Sequence, residues 1–321
     1  MFRKLNFFSF ALPFLFAGAS FPSITPAQQP AETKANAESS YSRQEDIIYG
    51  RKYGTALTLD VFTPKKDTKG AAVVFAVSGG WFSDHRAIRV PFIEEFLKRG
   101  YTVFAVVHGS QPRFTIPEAV EDMQRAVRYI RSQAKTFQIN PDRIGVTGGS
   151  AGGHLSLMLG TTGKEGDPKA ADPVDRASSR VQAVACFFPP TDFLNYGEPG
   201  KVALGRGTLE GFKAPFDFLE FDKITHSFNL VLDESKRRDI GKQISPAYHV
   251  SKDSAPARIV HGDADKLVPI QQAEIIIAKL KEAGIPADLV VKKRAAHGWA
   301  QMEKDIPALA DWFDKYLLAS P

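Results

Sequence analysis

The chain has 321 residues, 43% apolar and 24% charged, enough for one large α/β domain or two small ones with a sizeable core. Lys and Arg outnumber Asp and Glu by a formal net charge of +5 but are spread along the chain without a basic block, which argues against a nucleic-acid surface. Cys186 is the single cysteine, so no internal disulfide can form. Within the apolar run Val184-Ala-Cys-Phe-Phe188 it is expected to be buried and inert.

At the N-terminus, Arg3 and Lys4 precede an apolar run from Leu5 to Phe21, and Thr25-Pro26-Ala27 fits a small-residue cleavage site before Gln28. That order predicts a signal peptide over residues 1–27 and an exported protein, periplasmic or extracellular. An uncleaved anchor helix is the competing reading, weakened by Pro13 and the shortness of the run. No later stretch is long enough to span a bilayer, so no stable membrane insertion is expected after cleavage. Residues 28–44 are rich in Ala, Gln, Glu, Ser and Thr and read as a flexible lead-in to a domain over 45–321.

From residue 46 onward, short apolar runs alternate with amphipathic stretches, the pattern of a layered α/β protein. Ile47–Tyr49 and Thr55–Phe62 predict an opening β-hairpin. Ala71–Val77 and Tyr101–Val107 are continuous apolar runs, suited to strands buried on both faces of a parallel sheet. Pro91–Arg99 between them reads as a short helix stopped by Gly100. Residues 116–134 give the clearest helix: Ala119, Val120, Met123, Ala126, Val127 and Ile130 form one stripe, and Thr115-Ile-Pro-Glu118 supplies a capping-box start. A turn at Asn140-Pro-Asp142, a strand at Arg143–Thr147 and a helix from Ser150 or Ala151 to Leu159 follow. Gln182–Phe188, Ala257–His261 and Asp288–Lys292 are further strands, with helices at Ile270–Ala283 and Ile306–Leu317. Residues 193–244 break the alternation with aromatic residues of no steady period. An insertion of this length is expected to be a lid that shapes a substrate pocket or a segment packed against the sheet edge.

Gly148-Gly-Ser-Ala-Gly152 matches G-x-S-x-G between a predicted strand and a predicted helix, the context that motif requires. A sharp turn there projects the Ser150 hydroxyl above the sheet, flanked by glycines that let neighbouring chain approach. Serine is a weak nucleophile at neutral pH and needs a base held in one tautomer by a third group. Asp265, after the run from Arg258, and His297, after the run from Leu289, supply acid and base in that order, each just beyond a strand. Asp263 competes as the acid but suits a turn-stabilising role. His261 reads as a strand-end packing residue, and His154, about a turn past Ser150, as packing beneath the elbow. His85, His108, His226 and His249 have no partners in sequence. No Cys/His cluster or H-E-x-x-H pattern is present, so neither metal nor other cofactor is expected.

With these residues in place, the chain from about 46 to 318 resembles the α/β-hydrolase superfamily, which implies a mostly parallel central sheet flanked by helices. Within it, Ser78-Gly-Gly-Trp-Phe-Ser83, Gly148-Gly-Ser-Ala-Gly-Gly-His154, His261-Gly-Asp-Ala-Asp-Lys-Leu-Val-Pro269 and His297-Gly-Trp299 are similar to the bifunctional feruloyl/acetyl-xylan esterases and the hormone-sensitive-lipase-like branch. The resemblance implies a cofactor-free carboxylester hydrolase that forms an acyl-enzyme on Ser150, with a small-molecule or polysaccharide-linked ester as substrate. That branch carries His-Gly-Gly-Gly-Trp where this chain has Val77-Ser78-Gly79-Gly80-Trp81. A positive φ at Ser78 would cost energy. The oxyanion donors are expected among the N–H groups of Gly79, Gly80 and Trp81, together with that of Ala151. A peptidase similar to the prolyl oligopeptidase catalytic domain would share the Ser, Asp, His order, but the stretch from Gln28 to the Ala71 strand holds no propeller domain. A binding module that has lost its chemistry would usually lack one of the three residues, and all three stand here.

Overall fold

A computed structural model describes residues 40–318, so the expected signal peptide and most of the lead-in lie outside the described residues. In chain order the main elements are β1 (Tyr41–Lys52), β2 (Thr55–Pro64), β3 (Ala72–Val77), α1 (Val90–Lys98), β4 (Thr102–Val107), α2 (Ile116–Ser132), β5 (Ile144–Thr147) and α3 (Ala151–Thr162). They continue as β6 (Ala183–Phe187), β7 (Leu219–Asp222), β8 (Ser227–Leu230), α4 (Glu234–Gln243), β9 (Ala257–Gly262), α5 (Gln271–Glu282), β10 (Ala287–Lys292) and α6 (Ile306–Phe313). Eight strands form one sheet in the order β1-β2-β4-β3-β5-β6-β9-β10. The six from β4 to β10 run parallel, while β2 joins β4, and β1 joins β2, antiparallel.

The period of two along a strand divides the core between the two faces of the sheet. Ala72, Val74 and Ala76 of β3 pack with α2, α3 and α5, while Val73, Phe75 and Val77 pack with α1 and α6. Both sets are buried, which explains the continuous apolar runs of the central strands. The capping box at Thr115 is formed: its N–H donates to Glu118 Oε2 at 2.8 Å.

The opening hairpin begins earlier than its apolar residues indicate. β1 starts at Tyr41, so residues 41–44 belong to the sheet and not to the lead-in. It is an edge strand with exposed side chains, interrupted by register shifts between Gln44 and Ile47 and between Ile48 and Gly50, so no alternation marks it. Arg43 on β1 pairs with the buried Asp60 carboxylate of β2, Nε to Oδ2 3.0 Å.

Residues 193–244 contain elements of their own: the β7–β8 hairpin and α4. Phe193, Tyr196, Phe216 and Phe218 at the base are buried, whereas Phe221 and Phe228 of the hairpin are exposed. The base is pinned by Gln272 of α5, whose Oε1 accepts the N–H groups of Thr191 and Asp192, both at 2.8 Å. Among the described residues no helix is long and apolar enough to cross a membrane.

Candidate active site

Every sequence-predicted site residue lies at the C-terminal edge of the parallel strands, where successive strands and loops converge. Ser150 joins β5 to α3 with φ 54° and ψ −118°, a backbone conformation costing of order 1–3 kcal/mol that persists only when its surroundings enforce it. The enforcement is visible. Ser150 N–H donates to Phe187 O, Phe187 N–H donates to Gly148 O, and His154 N–H donates back to Ser150 O, at 2.9–3.0 Å. A Cβ on Gly148 would lie 2.6 Å from Gly152 backbone, and one on Gly152 would lie 2.6 Å from Ala76 O, so the elbow closes only with glycine at both places.

The loops after β9 and β10 are stitched together by Asp263 N–H to Lys292 O at 3.1 Å and Ala264 N–H to Ala295 O at 3.0 Å. This brings His297 Nδ1 within 2.7 Å of Asp265 Oδ2 and His297 Nε2 within 2.9 Å of Ser150 Oγ. A carboxylate only accepts, so Nδ1 carries the proton and Nε2 is the acceptor for the serine hydroxyl. Asp265 Oδ1 takes the N–H groups of Leu267 and Val268, each at 2.9 Å. Burial pushes the Asp265 carboxyl up, but its contacts to His261, His297 and the Val268 N–H outweigh this and hold it well below the usual carboxylate range. Asp263 is tied to the Arg294 N–H at 2.5 Å and to Lys293 at 3.3 Å, a loop-stabilising role. His261 is fully buried, its Nε2–H donating to Val268 O at 2.8 Å and lying 3.5 Å from Asp265 Oδ2. Phe188, which sequence reasoning missed as a site residue, has its ring centroid 4.5 Å from that of His297.

The segment after β3 forms a tight corner. Gly79 and Phe82 exchange both backbone hydrogen bonds at 2.9 Å, with Gly80 at φ 55° and Trp81 at φ 59° between them. This avoids a strained Ser78 and corrects the expectation for Gly79. The left-handed residues are Gly80 and Trp81, not Ser78, and the Gly79 N–H is committed to Phe82 O, which removes it from the donor set. Among the described residues the N–H groups of Gly80, Trp81 and Ala151 have no partner.

Two neutral histidines hold this corner. Trp81 Nε1–H donates to His154 Nδ1 at 3.1 Å, and His154 Nε2–H donates to Ile244 O at 2.6 Å. The Trp81 ring also packs against Phe193 and Phe216 of the inserted segment, at 5.7 and 5.2 Å between centroids. Beneath the corner, His108 Nδ1–H donates to Gly109 O at 2.7 Å, which leaves Nε2 to accept the Ser78 hydroxyl at 2.9 Å. Ser83 Oγ–H donates to Val77 O at 2.5 Å and Ser83 Oγ accepts the His108 N–H at 3.2 Å. Burial lowers both imidazoles to about 4, against the opposing effect of their carbonyl partners, so both rings are neutral near pH 7. The serine that looks awkward in sequence is thus the anchor point for a histidine from the end of β4.

A cavity of about 280 Å³ opens beside Ser150, walled by Phe75, Val77, Phe92, Phe188 and Met302 with Arg89 also lining it. None of its lining residues comes from 193–244. The base of that segment instead packs under the Trp81 corner and α3, while its hairpin reaches the β1–β2 turn, where Phe228 meets Tyr53 edge-on at 5.5 Å. Among the described residues one group, Asp46, Asp60 and His85, places carboxylate and imidazole atoms within 4.8 Å of one another. Asp60 is already satisfied by Arg43 and by the Asp46 N–H at 3.0 Å, a poor start for a metal site. Cys186 is fully buried, and burial raises its thiol, as expected of an inert residue.

The chain is 29% identical over 276 residues to the probable carboxylic ester hydrolase LipM of Mycobacterium tuberculosis, covering 80% of this chain and 59% of that protein. It is 24% identical to an ethyl acetate hydrolase of Pseudomonas putida, covering 80% and 76%. This chain spans 54% of the M. tuberculosis esterase LipQ, so it falls short of two thirds of the first two curated relatives. A truncated carbohydrate esterase from gut microbiota superposes with a TM-score of 0.66 at 25% identity, covering 86% of this chain and 98% of that one. The BD-FAE family model matches residues 59–280, a span that includes Ser150 and Asp265 and stops short of His297. The chain is an α/β-hydrolase and belongs to the BD-FAE family.

Proposed function

We propose that the protein is a serine carboxylic ester hydrolase acting through an acyl-enzyme on Ser150. The observation that carries this reading is the hydrogen-bonded series Asp265, His297, Ser150, at 2.7 and 2.9 Å, beside an open cavity. His297 takes the hydroxyl proton as Ser150 Oγ attacks the ester carbonyl, and ionised Asp265 steadies the imidazolium. The developing oxyanion is met by the N–H of Ala151, at the start of α3, and by the Gly80–Trp81 corner. His297 then gives its proton to the leaving alcohol, and water repeats the sequence on the acyl-enzyme, regenerating Ser150 and releasing the acid.

Similarity to a carbohydrate esterase and to ester hydrolases supports an O-acyl ester as substrate, acyl groups carried on sugars included. The charged, apolar and small-residue order of residues 1–27 supports export. Residues 193–244 act, in this reading, as a fixed support whose base packs under the Trp81 corner and α3.

Initial rates with 4-nitrophenyl acetate, butyrate and octanoate test the assignment on the full chain beside Ser150→Ala. Turnover by wild type and none by the variant is the expected result. Equal inertness of both, with matching circular dichroism, would overturn it.

A further inference from the structure

The cavity beside Ser150 has a single charged residue in its lining. Phe75, Ala76, Val77, Ala87, Phe92, Phe188 and Met302 supply carbon, and Arg89 supplies the only formal charge. Arg89 is exposed, and no carboxylate among the described residues pairs with it, in contrast to its neighbours. Arg86 is held by Asp84 at 2.7 Å, and the α1 carboxylates Glu94 and Glu95 are taken by Lys98 and Arg99 at 3.0 and 2.8 Å. Glu303, adjacent to the lining residue Met302, makes no ion pair with it either.

The position is also adverse for the helix. Arg89 is the N-cap of α1, makes no side-chain cap bond, and is followed by a first turn without an acidic residue. A cation there faces the positive end of the helix dipole, where Asp, Ser or Thr would stabilise the start. Helix stability therefore does not explain this arginine. A guanidinium at an apolar cavity mouth is suited to a carboxylate, which it binds through two parallel N–H bonds in a setting that strengthens the attraction.

We infer that Arg89 selects substrates with a carboxylate on the part of the ester that enters this cavity, such as half-esters of dicarboxylic acids or esters of carboxylated alcohols. The inference rests on the proposed ester hydrolysis and adds to it the charge of the substrate.

The test compares two matched pairs on the full-length protein: the 4-nitrophenyl half-ester of glutarate against 4-nitrophenyl pentanoate, and 4-acetoxybenzoate against phenyl acetate. For the acidic member of one pair, kcat/KM is expected to exceed the neutral member by roughly tenfold after correction for intrinsic reactivity. Arg89→Gln should reduce that ratio about tenfold, Arg89→Lys should retain part of it, and added NaCl should shrink it in wild type. Acidic-to-neutral ratios near one in both pairs, or a ratio that Arg89→Gln leaves in place, would remove the assignment while ester hydrolysis stands. Inertness toward all four esters would instead bring down both readings together.

Discussion

Ser150, His297 and Asp265 are joined to one another by side-chain hydrogen bonds, whereas Gly80, Trp81 and Ala151 offer backbone N–H groups placed by the Gly79–Phe82 corner, the start of α3 and the contacts around them. In the first region the proposed chemistry and its alignment reside in the same three residues. In the second, alignment is delegated. Trp81 leans on His154, His154 on the Ile244 carbonyl, and Ser78 on His108. A substitution in the triad removes a reacting group, while one in the supports shifts a donor by a fraction of its hydrogen-bond length and leaves the chemistry in place.

The largest effects should come from the triad. Ser150→Ala or His297→Ala is expected to lower kcat by about 10⁴-fold or more, measured by single-turnover kinetics with 4-nitrophenyl acetate. Asp265→Asn should cost roughly 10³ to 10⁴-fold, because the amide reverses the donor pattern that sets the His297 tautomer. A loss under tenfold would place the orienting role elsewhere, Asp263 being the first alternative to test.

The supports come next. His154→Leu leaves the Trp81 indole N–H and the Ile244 carbonyl buried without partners, each at a cost of about 1–3 kcal/mol. The melting temperature should fall by several degrees, and kcat by roughly tenfold with KM nearly unchanged. Ser78→Ala removes one hydroxyl and should lower kcat only about three- to tenfold. If His108→Ala lowers kcat by the same factor and the double variant no further, the pair acts as one support. Simple additivity of the two would break the contrast drawn between the regions.

The smallest effect concerns pH. His108 and His154 sit near 4 in the folded chain against an ordinary value of 6.5. The unfolded state therefore binds more protons between those values, so stability is full above about 6.5 and falls as the pH drops toward 4. Asp265, whose carboxyl is likewise held below its ordinary value of 3.8, acts in the same sense, but its contribution is lost only as the pH falls below that value, beneath this window. Urea midpoints taken from pH 7 to pH 4 should therefore decline, and His154→Leu should flatten part of the slope.

Ser150, Asp265 and His297, which the structure brings within 2.7 and 2.9 Å of one another, could be picked out in sequence because each is a reacting residue type just after a strand whose apolar run is unmistakable. The elbow was legible because Gly148 and Gly152 are demanded by backbone contact, and contact of that kind leaves glycine in the sequence. β1 was read six residues short, since an exposed edge strand with two register shifts has no period to detect. His108 looked unpaired because Ser78 lies 30 positions away, and the two meet only when β3 and β4 align in register. The Gly79 N–H was counted as a donor because a two-residue corner between Gly79 and Phe82 leaves no sequence mark beyond a glycine pair. Residues 193–244 showed aromatic content without order, because their burial is set by Trp81 and α3 and not by a regular period of their own.

The β7–β8 hairpin returns to its starting point: Val231 N–H donates to Phe218 O at 2.9 Å, directly below the first strand pair. Leu219 lies opposite Leu230 and Phe221 opposite Phe228, so all four project from one side of the ribbon. Both ends of the hairpin thus enter the body at a single point, above a base that Phe193, Phe216 and Gln272 hold in place. In engineering terms this is an exchangeable cassette. Residues 219–230 can be replaced by a short turn, or by a hairpin of different reach, without cutting the connections that steady Trp81 or touching the lining of the cavity beside Ser150.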